Sequence, residues 1–160
     1  MNQTRKAAYA VVLTAIAVAL APFFIPIGIT KCYPAQHMVN VLGAVLLGPW
    51  YALAVATAAA IIRNALNLGT IFAFPGGMIG AFLAGWAYRL TRNIYIAALG
   101  EVVGTGLIGA TASALFVGPV FLGKTMALGT FIVAFSVSTI AGSAIGVLIL
   151  IGLRRAGMRW

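Results

Sequence analysis

The chain has 160 residues, of which 63% are hydrophobic and only 7% are charged. Soluble domains are about half apolar and a quarter charged, so this composition predicts an integral membrane protein. Ten Lys and Arg residues accompany a single acidic residue, Glu101, giving a net charge of +9. One carboxylate cannot form a two-carboxylate acid/base site or a multi-carboxylate metal cage, so hydrolytic chemistry is not expected.

The basic residues form small groups between long apolar runs rather than one patch, which is typical of topology signals and disfavours nucleic-acid binding. The one cysteine, Cys32, excludes an intramolecular disulfide and a cysteine-based zinc site. We therefore expect no metal and no cofactor, and we interpret Cys32 as a small buried or interfacial side chain.

Apolar segments lie at about 7–27, 36–47, 50–66, 76–90, 94–115 and 127–152. Proline, glycine or the Arg92-Asn93 pair separates them. No cleavage-site pattern follows the first segment, so it is predicted to be a retained span and not a signal peptide. No repeat or linker is evident, and residues 1–160 are predicted to form one transmembrane domain.

The Gly48-Pro49 break decides between five and six spans. With six spans and an inside N-terminus, three basic residues lie outside, namely Lys31, Arg63 and Lys124. Seven lie in the cytoplasm: Arg5, Lys6, Arg89, Arg92, Arg154, Arg155 and Arg159. Five spans would put four inside and six outside, against the positive-inside bias. The sequence thus predicts an all-α bundle of six transmembrane helices in the cell membrane, with both termini cytoplasmic.

This topology brings polar residues together in the outward half of the bundle. The outer ends of the first three helices contribute Lys31, Gln36, His37, Asn40, Arg63, Asn64 and Asn67, and the fifth helix contributes Glu101 and Thr105. Polar groups persist at membrane depth only in contact with one another, water or a ligand. A substrate cavity is therefore predicted here.

Other roles are compatible with the same residues. Arg63 and Glu101 could form an ion pair that joins two helices, or Arg63 could snorkel to the membrane surface. His37 could be a capping or interfacial residue. Asn64 and Asn67 could cap the third helix and shape the turn before Gly69.

Two further segments are candidate functional surfaces. The apolar, glycine-rich loop 69–77 carries Phe72 and Phe74, which suit either a lid over a flat aromatic ligand or anchors at the membrane interface. The first helix carries small residues four apart, which permit close approach of another helix, from a partner or from the bundle itself. These residues are Ala15 with Ala19, and Ala17 with Ala21.

Several of these segments together resemble the ThiW family, the substrate-binding S components of energy-coupling factor (ECF) transporters. The resemblance covers about two thirds of the chain. It rests on Ile27-Gly28, Lys31-Cys32, PAQHMVN (34–40), LLGPWY (46–51), Ile62-Arg63-Asn64, Gly69-Thr70, FPGGMIG (74–80) and GEVVGTG (100–106).

The resemblance implies a six-helix S-component bundle with both termini inside. It also implies a ligand, the thiamine precursor hydroxyethylthiazole, captured from outside for salvage. A transmembrane coupling protein and two ATPase subunits would supply the energy, in agreement with the absence of a GxxxxGK[ST] motif here. In S components the alanine stripe of the first helix contacts the coupling protein. Ala15 and Ala19 are the nearest match, with Ala17 and Ala21 as neighbours.

A thiazole alcohol offers a ring nitrogen acceptor and a hydroxyl group. A site of His37, Asn40, Asn64, Asn67 and Glu101, walled by aromatic residues, could satisfy both. We expect Glu101 or an asparagine to bind the hydroxyl, and His37 or Arg63 to orient the site.

Two rival hypotheses remain at this stage. A proton-coupled exporter would use Glu101 as its exchangeable carboxylate, although pairing with Arg63 would disfavour a cationic substrate. A membrane-embedded transferase would need paired acids or a His-Asp arrangement, and His37 with Glu101 supplies little of that.

Overall fold

The computed structural model describes residues 2–27, 30–123, 125, 127–158 and 160. Lys124 and Arg159, which entered the charge count, lie outside the described residues, and so do Gly28 and the side chain of Lys31. The helices are α1 (Gln3–Ala19), α2 (Pro34–Leu47), α3 (Pro49–Ala65), α4 (Ala73–Thr91), α5 (Ile94–Leu122) and α6 (Leu128–Arg155). Strands β1 (Ile25–Ile27) and β2 (Thr30–Cys32) form an antiparallel hairpin between α1 and α2.

Each of the six predicted apolar segments contains a helix, but three boundaries were predicted wrongly. The fifth helix continues through the predicted Gly118-Pro119 break to Leu122, seven residues beyond the predicted end at 115. The first helix ends at Ala19, and residues 25–27 of the predicted first segment form β1 instead. Pro22 and Pro26 explain this, because proline cannot donate the backbone hydrogen bond that continues a helix. The predicted loop 69–77 is shorter, because α4 already begins at Ala73. Pro75 fits the first turn of a helix, where its missing N–H costs no hydrogen bond.

The predicted break between the second and third segments is present. Gly48 has φ of 91°, a left-handed conformation that glycine adopts without a steric cost. Pro49 then opens α3. The two helices are therefore separate elements joined by a single sharp turn.

Burial in this bundle is the reverse of that in a soluble protein. Alanines and buried polar residues such as Arg63 and Glu101 lie inside, while large apolar side chains such as Val11 and Leu148 are more than two-thirds exposed. By length and composition, α5 and α6 can each cross a membrane, and α2 is a shorter apolar helix. A surface of this kind is stable in lipid and not in water, so the chain is a membrane protein.

Small residues set the spacing between the helices. A Cβ atom added to Gly104 of α5 would lie 2.7 Å from Gly80 Cα of α4. A Cβ on Gly142 of α6 would overlap the carbonyl oxygen of Pro34 in α2. The backbones thus approach closely, as in other membrane helix pairs, and this places the polar side chains of α2, α4, α5 and α6 within reach of one another.

The fifth helix departs from regular α geometry at Gly104–Gly109 and Ser113–Val117, which are π-helical. A π segment inserts an extra residue in the turn and is frequent at functional sites. The first one begins three residues after Glu101 and includes Thr105, so it affects which residues of α5 face the bundle interior.

Candidate ligand-binding site

A small cavity lies among the N-terminal ends of α2 and α4, the C-terminal end of α3, the middle of α5 and the first half of α6. Its volume is about 50 Å³. The lining residues are Tyr33, Gln36, His37, Arg63, Thr70, Phe72, Ala73, Gly76, Gly77, Thr105, Ala134, Phe135 and Ser138. They come from every helix except α1.

Arg63 is the most unusual group in the cavity wall. Its side chain is only 1% exposed, and its Nη1 donates a 2.9 Å hydrogen bond to Gln36 Oε1. Its guanidinium carbon lies 4.2 Å from the centre of the Tyr33 ring, within cation–π distance. Within the described part of the chain, Nε and Nη2 have no hydrogen-bond partner. Buried donors without a partner cost free energy, so this is where an acceptor on a ligand gains most.

Glu101 lies behind the cavity wall. The carboxylate is fully buried, and Oε1 accepts hydrogen bonds from His37 Nδ1 at 2.8 Å and Asn40 Nδ2 at 2.9 Å. The hydroxyl of Thr105 lies 3.0 Å from Glu101 Oε1 and 3.0 Å from Gly76 O, and it can donate to one at a time. The other carboxylate oxygen, Oε2, packs against Gly80. Through these hydrogen bonds, Glu101 orients the side chains of His37 and Asn40.

Glu101 is hydrogen bonded to His37, and the alternative in which Arg63 pairs with Glu101 is not formed among the described residues. Arg63 and Glu101 are instead linked through two amides. Gln36 accepts from Arg63 and donates from Nε2 to Asn40 Oδ1 at 3.0 Å, and Asn40 then donates to Glu101. Because every link is directional, this chain fixes the orientation of both amides.

The same network sets the chemistry of His37. Its Nδ1 points at the carboxylate, so with an ionised Glu101 the neutral ring carries its proton on Nδ1. This leaves Nε2 as a hydrogen-bond acceptor, and it is the ring nitrogen that remains for a ligand. With His37 in this neutral tautomer, the cavity offers an acceptor on His37 and unpartnered donor nitrogens on Arg63.

Aromatic rings form another part of the cavity wall. Phe72 and Phe131 meet edge to face with ring centres 4.8 Å apart, and Phe131 lies 5.6 Å from Phe135. Phe72 and Phe135 line the cavity directly. A cavity lined by both polar and aromatic side chains suits a flat heteroaromatic molecule with hydrogen-bonding groups at its edge.

The predicted site residues divide into three groups. His37, Arg63, Phe72 and Thr105 line the cavity. Asn40 and Glu101 support them from behind. Asn64, Asn67 and Phe74 do not line it.

The exclusion of these three residues has physical reasons. Asn64 Nδ2 donates to the carbonyl oxygens of Ala60 and Thr70, and exposed Asn67 has φ of 57° in the turn after α3. These two asparagines thus have the capping and turn-forming roles weighed as the alternative. Phe74 lies in the first turn of α4, where it does not reach the cavity.

A family model described as thiamine-precursor transporter protein (ThiW) matches residues 7–156. The chain belongs to the ThiW family. No curated protein and no solved structure matches it. The family consists of transporters, so the function of this chain is transport of a thiamine precursor across a membrane. Enzyme activity is not expected of a member of a transporter family.

The sequence analysis missed what α6 contributes to this ThiW-family site. Phe135 and Ser138 line the cavity, and Ser138 Oγ accepts a 2.8 Å hydrogen bond from the backbone N–H of Tyr33. The sequence did contain a signal for this face of α6, because the small residues Ala134, Ser138 and Gly142 are spaced four residues apart. Tyr33 also lines the cavity and was not predicted, although it lies one helical turn before His37. Gln36 lines it as well; it was predicted among the polar residues of the outward half but not as a ligand contact.

The structure also revises the alanine stripe of α1. Ala17 and Ala21 are 1% and 3% exposed, because they pack inside the bundle. Ala15 and Ala19 are exposed on the outer surface of the helix. Ala17 and Ala21 are therefore corrected to internal packing residues, and only the other pair is available to a partner.

Proposed function

We propose that this ThiW-family protein is the substrate-capture subunit of an ECF-type importer and binds hydroxyethylthiazole from outside the cell. The observation that carries the proposal is the cavity, where two nitrogen atoms of buried Arg63 lack a hydrogen-bond partner among the described residues, beside His37 and aromatic side chains. The substrate and the partners go beyond what the family match alone states, and the following arguments support them.

The ligand chemistry fits the two fixed polar groups. Hydroxyethylthiazole is flat and uncharged, with a ring nitrogen that accepts a hydrogen bond and a hydroxyl that both donates and accepts. In our proposal Arg63 donates to an acceptor on the ligand, and His37 Nε2 accepts the hydroxyl proton. Phe72 and Phe135 cover the ring. Asn40, Glu101 and Thr105 act indirectly by positioning His37 and the cavity wall.

Ligand entry requires movement of the cavity wall. A volume of about 50 Å³ is well below the roughly 300 Å³ at the lower end of small-molecule sites. The segments best placed to move are the α3–α4 connection, which carries Thr70 and Phe72, and the β1–β2 hairpin before Tyr33. The hairpin end is held to α6 by Cys32 Sγ, which donates to Ala134 O at 3.3 Å. We propose that these two segments open for the ligand and then close over it.

The proposed topology is a single domain of six spans with both termini cytoplasmic in a prokaryotic membrane. Six of the cations assigned to the cytoplasm line two adjoining clefts at one end of the bundle, and Arg63 lines the separate cavity. This grouping supports the assignment of that end of the bundle to the cytoplasm, which was made from the distribution of positive charge. The cavity is at the start of α4 and the clefts are at its end, about 28 Å away at 1.5 Å per residue.

We further propose that a transmembrane coupling protein and two ATPase subunits complete the importer. The chain carries no nucleotide-binding motif of its own, so energy must come from other subunits. Exposed Ala15 and Ala19, beside strongly exposed Val11 and Val12, form an apolar α1 surface on which a coupling helix can pack closely. The whole bundle then reorients against this partner to release ligand inside.

The position of Glu101 weakens the exporter alternative. An exchangeable carboxylate must reach the transported cation or water, whereas this one is fully buried, with Oε1 hydrogen bonded and Oε2 packed against Gly80. It also lies against His37 and not in an open path.

The test is isothermal titration of the purified chain in detergent, without ATP or other subunits, against hydroxyethylthiazole, thiamine and riboflavin. The proposal expects saturable binding of the thiazole alcohol and at least tenfold weaker binding of the two larger vitamins, because the cavity is small. Equal binding of all three compounds, or binding of riboflavin alone, would contradict the proposed substrate.

A further inference from the structure

A second recess lies at the opposite end of α4 from the ligand cavity. We call it the basic cleft and define it by Arg5 and Lys6 of α1, Arg89 and Arg92 at the end of α4, and Trp50 of α3. Its volume is about 920 Å³. Nothing in the proposed capture of a thiazole uses it.

The cleft exists because the α2–α3 turn is set back from this end of the bundle. Gly48 and Pro49 form its floor together with apolar Val45, Leu46 and Leu47. Gly85 of α4 permits this arrangement, because a Cβ there would overlap the backbone of Pro49. The hydroxyl of Tyr51 donates to Gln3 Oε1 at 2.9 Å and so ties α1 to α3 beside the opening.

The cations of the basic cleft have no acidic side chain to pair with. The chain contains one Asp or Glu, and that residue, Glu101, is fully buried against His37. Aromatic rings are the partners available instead. Lys6 Nζ lies 5.9 Å from the Tyr51 ring centre, and the Arg89 guanidinium carbon lies 5.1 Å from that of Trp86. Four like charges around one recess create a strong positive potential that a bound anion would relieve.

The surroundings place the cleft at the level of lipid headgroups. Trp50 lines it and is 63% exposed, and Tyr9 lines it and is 41% exposed. Tryptophan and tyrosine are enriched at the membrane–water interface, and basic pockets between helices at that level bind anionic headgroups. The apolar floor also suits the glycerol and upper acyl region of a lipid better than it suits a free ion.

We propose that the basic cleft binds the phosphate headgroup of an anionic phospholipid. Arg5 and Lys6 approach the phosphate from α1, and Arg89 and Arg92 approach it from α4. Bound lipid would thereby neutralise the cleft and join the N-terminal end of the chain to α4. The inference concerns the end of the bundle remote from the ligand cavity and does not depend on which ligand that cavity takes.

The chain contains a built-in reporter for the test. It has three tryptophans, of which Trp50 and Trp160 line the basic cleft and Trp86 contacts Arg89. The full chain is placed in phosphatidylcholine vesicles that contain a small fraction of phosphatidylglycerol. Two samples are compared, one with brominated phosphatidylcholine and one with brominated phosphatidylglycerol, because bromine quenches tryptophan fluorescence. The proposal expects stronger quenching from labelled phosphatidylglycerol at equal label density.

Matched charge removals separate a specific site from general attraction. The double variant Arg5→Gln/Arg89→Gln changes exposed residues on both cleft walls, and it should weaken the preference for phosphatidylglycerol about fivefold per charge. Arg154→Gln/Arg155→Gln removes the same charge from the adjoining groove at the same end, and it should change the preference less than about twofold. Retained fluorescence of unlabelled samples checks folding.

Three results would overturn the proposal. Equal losses in the two double variants would mean a general surface potential without a site. Complete reversal of the quenching by inorganic phosphate at constant ionic strength would mean a free-phosphate site. No preference for phosphatidylglycerol, with Arg5→Gln/Arg89→Gln instead losing co-purification with the coupling subunits, would assign the cleft to a protein partner.

Discussion

The two recesses at the ends of α4 contain arginine side chains in opposite environments, one buried and one exposed. At the cavity, Arg63 is 1% exposed and contacts Gln36 and Tyr33, while its Nε and Nη2 have no hydrogen-bond partner among the described residues. At the basic cleft, Arg89 is exposed and rests on the ring of Trp86. A buried cation discriminates between ligands because every unmet hydrogen bond is costly, whereas an exposed cation attracts any anion weakly. The comparison assigns discrimination between small neutral ligands to the cavity, whereas several exposed cations acting together at the cleft suit the lipid phosphate that we propose for it.

The largest effect we predict comes from the buried arginine. Arg63→Gln should weaken binding of hydroxyethylthiazole by about 30-fold or more, because a hydrogen bond to a charged group contributes about 2 kcal/mol. Arg89→Gln removes the same group at the other end of the bundle and should leave the affinity within twofold. Titration calorimetry of both variants measures this, and equal losses would show that the cavity arginine has no special role.

A steric change behind the cavity should have the next largest effect. An alanine Cβ at position 80 would overlap Thr105 Oγ1 and contact Glu101 Oε2, so Gly80→Ala should destabilise the fold by about 2 kcal/mol. Gly152→Ala is the matched control, because its Cβ would meet nothing within 4 Å. Thermal unfolding in detergent compares them. A Gly80→Ala melting temperature equal to that of the control would contradict the close α4–α5 contact.

Neutralising the carboxylate should have a moderate effect. Glu101→Gln keeps the shape but weakens charge-assisted hydrogen bonds from His37 and Asn40, so ligand affinity should fall about tenfold. Uptake by the complete importer should show the same dependence on the proton gradient as the parent protein. Loss of a proton dependence in the variant would favour the exporter hypothesis.

The smallest effect concerns α6, a predicted helix whose contribution to the cavity was not predicted. Ser138→Ala removes the acceptor for the Tyr33 backbone N–H, so affinity should fall about fivefold through misplacement of the Tyr33 ring. Ser136→Ala is a control on the same helix, at a residue that does not line the cavity. Similar losses in both variants would argue against a role for the Tyr33 contact.

The sequence predicted the helices well, because apolar runs and proline or glycine breaks are local signals. Gly48-Pro49 separated α2 from α3 as expected, whereas Pro22 was not recognised as the end of the first helix. His37, Arg63 and Glu101 could be chosen as candidates because polar residues are rare at membrane depth.

The partners of those residues could not be derived from spacing. The π-helical turn at Gly104–Gly109 changes the facing of residues along α5, and the direction of Glu101 depends on the close approach of Gly80. Asn64 and Asn67 were predicted as site residues because they follow Arg63. In the structure, the Asn64 side chain is hydrogen bonded to backbone carbonyl groups near the end of α3, and Asn67 adopts the positive φ of the turn that follows. Tertiary contacts decide these roles, and a single sequence does not contain them.

The most direct test of the account uses the only histidine in the chain. Labelling histidine with ¹⁵N gives signals from His37 alone, one for Nδ1 and one for Nε2. On addition of hydroxyethylthiazole, the account predicts a shift of the Nε2 signal as it accepts the ligand hydroxyl, with the Nδ1 signal still that of a protonated nitrogen held by Glu101. Saturating ligand that leaves both signals unchanged would contradict the assignment of the cavity as the binding site.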